Sequence, residues 1–511
     1  MTGRQIACRM RMDLQPVMAY ERKSNCVWTC FSIWDKIKYP LSHGERMRKR
    51  RLEEEGDRMA PSTMVRDMTR GAVVPQLMRF TLPLFISNAL QAVYNLVDMV
   101  IVGNTIGKAG MSAVSIGGDI LHLLTFVAMG FSSAGQVLIA QAVGRKEHDA
   151  IRKTIGTMFT FLLCFSACLG GICFALRFSI LNWLHTPAAS YAYTMDYTVT
   201  CICGLPFIYG YNIVSAILRG MGDSKRPFWF IGIAAVLNIA LDILFVRHLG
   251  LAVFGAALAT VIGQGVSFLF SIVYLYRHRQ SFGFDFKPSS FRIDRPQFRK
   301  LLSLGIPMAI QSAAINLSKI VLTSWINLFD VTYSALAGIF NKVNTMCGVI
   351  SQSFTAAGST MVGQNLGARE YRRVNTILLS IFAFSFGLSL LMTAVMLLWP
   401  EGVYGMFTPD KDVLGIASVL TLPIILNFYG AGTRSVAFSL INGSGRSRLN
   451  LAVAIIDGMF ARVSFAALLG FALKMDCLGF WMGDSLAGFM PMLIGLAFYL
   501  SGRWKKETGK A

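Results

Sequence analysis

The sequence predicts an all-α integral membrane protein with twelve transmembrane helices in two repeated six-helix lobes. Hydrophobic residues fill 54% of its 511 positions, and a mean hydropathy of +0.53 fits no soluble class. Apolar runs of about 20 residues, each able to cross roughly 30 Å of hydrocarbon, recur from Gln76 almost to the C-terminus. Segments of the first half then reappear in the second.

The runs place the first six spans at 76–102, 110–138, 155–179, 191–218, 228–248 and 252–276. The second six fall at 301–327, 332–362, 376–399, 413–440, 450–472 and 477–501. A formal charge of +21 raises the question of a nucleic-acid partner. Its distribution answers against one. Beyond the N-terminal tail, bases crowd the loops after even-numbered spans: Arg145, Lys146, Arg152 and Lys153, then Lys225 and Arg226, then seven between Arg277 and Lys300. Arg369, Arg372 and Arg373, then Arg446 and Arg448, then Arg503, Lys505, Lys506 and Lys510 continue the series. The opposite loops hold little beyond Lys108, Arg177, Arg247, Lys411 and Lys474, so the positive-inside rule makes both termini cytoplasmic in a multi-pass protein of the cell membrane.

The expected organisation is a cytoplasmic, poorly ordered tail at 1–70, a lobe at 71–280, a polar cytoplasmic loop at 281–300, a second lobe at 301–502 and a short tail at 503–511. "CVWTCFSIW" is too short for a secretory segment and is bounded by Lys23 and Lys36. The tail also carries "RMRKRR" at Arg46–Arg51 and "EEE" at Glu53–Glu55, and Met47, Met59, Met64 and Met68 are alternative starts. The ten cysteines show neither metal-ligand nor disulfide spacing and read as apolar filler.

Ser132–Glu147, "SSAGQVLIAQAVGRKE", aligns with Thr355–Glu370, "TAAGSTMVGQNLGARE". "FTLPLF" at Phe80 answers "LGIPMA" at Leu304, and "GLPFI" at Gly204 answers "TLPII" at Thr421. A repeat of six helices keeps both halves in one orientation, the parallel arrangement in which transporters form sites between lobes, although scaffolds and channels can also be duplicated. "GMGDSK" and "NGSGRS" occupy matching places after spans 4 and 10 and read as helix-ending turns.

Asn88, Gln91, Asn95 and Asp98 recur at spacings of three and four, which gathers four polar side chains on one face of span 1. Such a stripe must face protein or water. An intramembrane carboxylate is costly and is usually kept for a task; the bland alternative is a hydrogen-bonded seam between helices. Asn238 and Asp242, one turn apart in span 5, form a second polar face. Two carboxyls brought together can share and release a proton, and an amide beside them can serve either protonation state. Asp119, His122, Lys342, Asp457, Arg462 and Asp484 are expected either to pair or to sit near a mouth, with structural pairing the favoured reading. There is no H-E-x-x-H, G-x-x-x-x-G-K-[ST] or G-x-S-x-G at a strand-to-helix turn, so the chain is not read as an enzyme.

These features resemble the multidrug and toxic compound extrusion (MATE) family over residues 71–505. The similarity rests on "LPLFISNALQAVYNLVDMVIVG" in span 1, on Gly135 to Gly144 and its repeat at "GQNLGA", on "LRGMGDSKRP" and on "LNIALDILFV". The resemblance implies a secondary active antiporter that exports small organic compounds or drugs in exchange for protons or sodium ions, by alternating access of two lobes and without a cofactor. It matches Asp98, Asn238 and Asp242 to the polar site of the family's N-terminal lobe, where sodium is one possible occupant; Asn212, Asn95 and Gln91 would complete the cavity. It also matches Pro83 to a proline at which span 1 bends in some members. Acids of the C-terminal lobe, used by the sodium-coupled branch, have no counterpart: Leu322 stands at the repeat position of Asp98, and span 10 offers Arg434. The expected partners are the coupling ion, the organic substrate and the bilayer, with the protein a monomer. The rival within the same superfamily is a flippase for an anionic lipid-linked precursor, which would want a cavity dominated by Arg434, Lys342 and Lys319.

Overall fold

The computed structural model describes residues 65–329, 331–407 and 411–505. The tail motifs, Cys26 and Cys30 lie outside the described residues. Among those residues there is no strand. The first lobe comprises α1 (Val73–Ile106), α2 (Lys108–Arg145), α3 (His148–Ala175), α4 (Ala188–Gly220), α5 (Lys225–His248) and α6 (Ala252–Arg277). The second comprises α7 (Arg295–Ile326), α8 (Val331–Gly367), α9 (Tyr371–Leu398), α10 (Leu414–Ser444), α11 (Ser447–Ala472) and α12 (Asp476–Leu500). Eleven are apolar enough to cross a membrane by length and composition. The twelfth, α8, is long enough but carries many Ser, Thr and Asn residues.

The two lobes repeat one packing pattern. In the first, α4 lies against α2, α3 and α6, and α1 lies against α5; in the second, α10 lies against α8, α9 and α12, and α7 against α11. Local backbone features repeat too. α2 and α8 run into left-handed residues at equivalent places, Lys146 (φ 59°) and Arg369 (φ 63°). α4 and α10 are followed by glycines with positive φ, Gly222 (88°) and Gly445 (69°), so "GMGDSK" and "NGSGRS" are indeed turns in a conformation that favours glycine.

Between the lobes, α2 crosses α7 and α8, while α1 crosses α8. The ends of α2 and α8 meet at Gly144 and Gly367, where a Cβ would overlap the Gln364 and Gln141 carbonyl oxygens respectively. The same turns exchange side chains reciprocally. Gln141 Nε2 donates to Gly443 O at 2.8 Å, and Gln364 Nε2 donates to Gly220 O at 3.2 Å. Gln136 Nε2 adds a bond to Thr360 Oγ1 at 2.7 Å, with Arg219 Nε donating to Gln136 Oε1 at 2.8 Å. Buried amides use donor and acceptor together here, which closes this end with directional bonds as well as apolar contact.

Two segments differ from the sequence expectation. Residues 65–71, assigned to the tail up to residue 70, strap across the closed end: Arg66 N donates to Met221 O (2.8 Å), Met68 N to Gln364 Oε1 (2.9 Å), and Asn365 Nδ2 to Met68 O (3.1 Å). Arg373 binds the Gly71 carbonyl at 2.7 Å and the Met68 carbonyl at 3.2 Å. The strap thus touches both lobes. The loop expected to be polar folds back because its spaced phenylalanines form a cluster: Phe284 is fully buried, its ring 5.3 Å from that of Phe291, which packs edge-on against Phe159 of α3. Asp294 then caps α7 by accepting from Gln297 N at 3.2 Å.

Arg373→Ala should release the strap, since hydrogen bonds to a charged donor contribute about 1.5–3 kcal/mol. Limited trypsin digestion should cleave at Arg66 and Arg70 several-fold faster in the variant than in the parent, with the helical signal unchanged.

Candidate functional site

α1 and α5 pack along their length, and this brings their acids together. Asp98 is 5% exposed, Asn238 3% and Asp242 fully buried. The carboxyls of Asp98 and Asp242 lie within hydrogen-bonding reach of each other. Asn238, with its amide assigned from the surrounding donors and acceptors, donates to Asp98 Oδ1 at 3.0 Å and accepts from the Thr260 backbone N–H of α6 at 3.3 Å. No described residue donates to either oxygen of Asp242. Two carboxylates are both acceptors, so the contact becomes a hydrogen bond only when one carries a proton.

The helices make this arrangement possible locally. Gly263 of α6 lets α5 approach: a Cβ there would stand 3.2 Å from the Ala234 carbonyl oxygen and 3.5 Å from Asn238 Cβ. Directly after Asp242 the helix widens into a π-helical segment, Ile243–His248, a local irregularity common at functional sites. Leu468–Ala472 repeats it in α11, where no acid precedes it. α1 continues unbroken through Pro83, with Ser87 Oγ donating to the Pro83 carbonyl at 2.7 Å.

Not every expected residue joins the pair. Gln91 and Asn95 are exposed, Gln91 donating to Tyr94 Oη at 3.3 Å. Asn212 donates to the Ile208 carbonyl of its own helix at 2.8 Å and makes no bond to the carboxyls. Asn88 reaches across to Ser353 Oγ in the second lobe at 3.1 Å, so the polar stripe of α1 runs from the lobe contact toward the buried acids. Sequence reasoning passed over Thr260, Gln264 and the buried Tyr94 and Tyr197 that wall the site. Thr260 and Gln264 are one turn apart, a spacing that could have marked a polar face of α6.

The second lobe is built otherwise. Arg462 lies between Asp457 Oδ1 (3.3 Å) and Asp484 Oδ1, all three buried, as structural pairing predicts. Asp119, His122 and Lys342 are exposed and form no such pair with one another; His122 lies near the Phe126 ring. Among these six residues the ion pairs of the structure are those of Arg462 with its two acids. Arg462→Leu should leave two buried carboxylates without the guanidinium that pairs them and lower stability by about 3–5 kcal/mol, read as a shift in the denaturant midpoint.

Known proteins carry the same architecture. The MatE family model matches residues 83–244 and 307–468, well over half of the chain and in register with the repeat. The probable multidrug resistance protein YoeA of Bacillus subtilis is 27% identical over 433 residues, spanning 84% of this chain and 93% of YoeA. A crystal structure of a MATE protein in the bent conformation superposes with a TM-score of 0.78 at 22% identity, covering 87% of this chain and 97% of that one. An outward-facing multidrug resistance MATE transporter gives 0.77 at 22% identity, covering 88% and 100%. The duplicated match, the twelve-helix architecture and the shared fold lead to one conclusion: the chain belongs to the multidrug and toxic compound extrusion (MATE) family of transporters.

Proposed function

We propose that the protein is a secondary active antiporter that exports small organic compounds in exchange for protons, by alternating access of its two lobes. The observation that carries this reading is the buried Asp98–Asp242 contact, which needs a proton to become a hydrogen bond. Opening the lobe to water on one side would let the proton leave and ionise both groups. A substrate that favours the deprotonated form then binds in competition with the proton, and the gradient drives exchange. Relatives named for multidrug resistance support drug-like compounds as cargo. The route lies between lobes of one chain, so a monomer suffices.

Sodium is the weaker alternative for one specific reason: the acids of the C-terminal lobe that the resemblance assigns to sodium coupling have no counterpart here, with Leu322 at the repeat position of Asp98. A flippase for an anionic lipid-linked precursor is disfavoured by the buried acids of the first lobe and by relatives named for multidrug resistance. The basic loops support a cell-membrane protein with both termini cytoplasmic, which turns the strapped end toward the cytoplasm.

In proteoliposomes with an imposed pH gradient, Asp98→Asn and Asp242→Asn should each reduce export of a fluorescent cationic dye at least tenfold in the folded protein. Retained transport with an unchanged pH profile in both variants contradicts the reading, as does equal export driven by sodium alone. Pro83 removes one backbone hydrogen bond from α1 fifteen residues before Asp98. Pro83→Ala should therefore slow export several-fold while leaving thermal stability equal or higher. Normal export by that variant would show that Asp98 acts without bending α1.

A further inference from the structure

α1 is attached to both lobes. Its first turns, at Leu77, Phe80 and Leu84, share an apolar cluster with Phe354 and Met361 of α8 and Ile377 of α9, whereas Val102 near its far end packs with Val114 of α2 and Val246 of α5. The 65–71 strap extends the first of these attachments. Met68 N donates to Gln364, while Asn365 donates to the Met68 carbonyl and Arg373 to the Gly71 carbonyl, all from the second lobe. The segment ahead of α7 is its counterpart on the first lobe. Asp294 N donates to Thr157 Oγ1 of α3 at 3.1 Å, and a Cβ on Gly156 would overlap the Ser290 carbonyl oxygen. The first helix of each lobe is thus led in by a segment seated on the opposite lobe.

The strap also reaches back to the first lobe at its tip. Arg66 N donates to Met221 O at 2.8 Å, in the turn that follows α4. The two backbones nearly touch there, since a Cβ on Gly222 would stand 2.8 Å from Arg66 O and 2.9 Å from Arg66 Cβ. Met68, itself buried, lies beside the same turn, its Cε 3.3 Å from that Cβ position. The strap also orients an amide between the lobes. Gln364 Oε1 accepts from Met68 N at 2.9 Å while Gln364 Nε2 donates to Gly220 O of the first lobe at 3.2 Å. A docked strap therefore fixes which way this amide points and supports an inter-lobe bond that it does not itself make. Its hold on the first lobe, a backbone hydrogen bond and close packing, is weaker than the charge-assisted grip of Arg373 on the other side.

We propose that the strap is a latch on the closed end of the molecule: it travels with the second lobe, and its Arg66 tip docks on the Met221–Gly222 turn when the lobes close and leaves it when they part. This rests on the alternating-access reading. α1 is then held at its two ends by different lobes, so undocking of the latch delivers lobe movement to the helix that carries Asp98.

The test reads opening of that end without gradient or cargo, on the full chain in nanodiscs. Thr360 is fully buried against Gln136 of the opposite lobe, so Thr360→Cys can meet a water-soluble maleimide only when the lobes part. Labelling at residue 360 is followed by peptide mass spectrometry. Arg66→Pro, added to Thr360→Cys, removes the N–H that docks the tip and spares the bonds to the second lobe, so it should raise the labelling rate several-fold. Arg66→Ala keeps that N–H and should label at the parent rate. Arg66→Cys combined with Gly222→Cys can close the latch as a disulfide after a shift of about 1 Å, and should lower the rate at least tenfold until the bond is reduced. The single cysteine variants, oxidised in parallel, control for native thiols. If Gly222→Cys prevents folding, the comparison of Arg66→Pro with Arg66→Ala decides alone. Equal labelling of those two variants overturns the latch, as does undiminished labelling of the oxidised pair. No labelling of Thr360→Cys overturns the latch together with alternating access through this end, whereas labelling that is indifferent to the strap overturns the latch and leaves alternating access standing.

Discussion

An ionisable group at membrane depth must be answered from within the protein, and the interior of this transporter is arranged around that constraint. Lipid supplies neither a countercharge nor a hydrogen bond. Asp98 and Asp242 answer each other, with Asn238 orienting one of them and Thr260 orienting Asn238. Arg462 answers Asp457 and Asp484 together. These are different solutions on equivalent helices. The first leaves a contact whose bonding depends on a proton, while the second is a closed ion triad that removal of one member would break.

Symmetry explains why the solutions can differ without disturbing the fold. The lobes share helix packing, left-handed helix ends and the reciprocal Gln141 and Gln364 bonds, all of which belong to the frame. Departures fall on side chains that the frame does not use: Asp98 against Leu322, Asn95 against Lys319, and Asn238 against Arg462 in the register set by the two family matches. Duplication supplied two equal scaffolds, and substitution gave their interiors different charge patterns. The Gly144–Gly367 crossing brings the frame together at one end, where the 65–71 strap lies over both lobes.

Much of this was legible because its cause is periodic or local. Helical spacing placed Asn88, Gln91, Asn95 and Asp98 on one face, and Asn238 with Asp242 on another. The repeat gave the lobes, and glycine in the turns gave their ends. What escaped depends on contacts between residues distant in sequence or on a small rotation within a face. Asn212 has the right residue type but donates to its own helix, and Gln91 and Asn95 share a stripe with Asp98 without sharing its burial. The strap could not be read from its composition, since what holds it is Asn365 and Arg373, some 300 residues away. The polar loop concealed a cluster in which Phe284 and Phe291 pack with α3.

The central claim is that the Asp98–Asp242 contact stores a proton that substrate displaces. Proton release on binding measures this most directly, with purified protein in weakly buffered detergent solution and a pH indicator. Saturating dye should release about one proton per protein from the parent, because a coupled acid pair gives up its shared proton as a unit. The same dye should release none from Asp242→Asn while still binding. Binding by the parent without proton release, or equal release from the parent and the variant, would contradict the account.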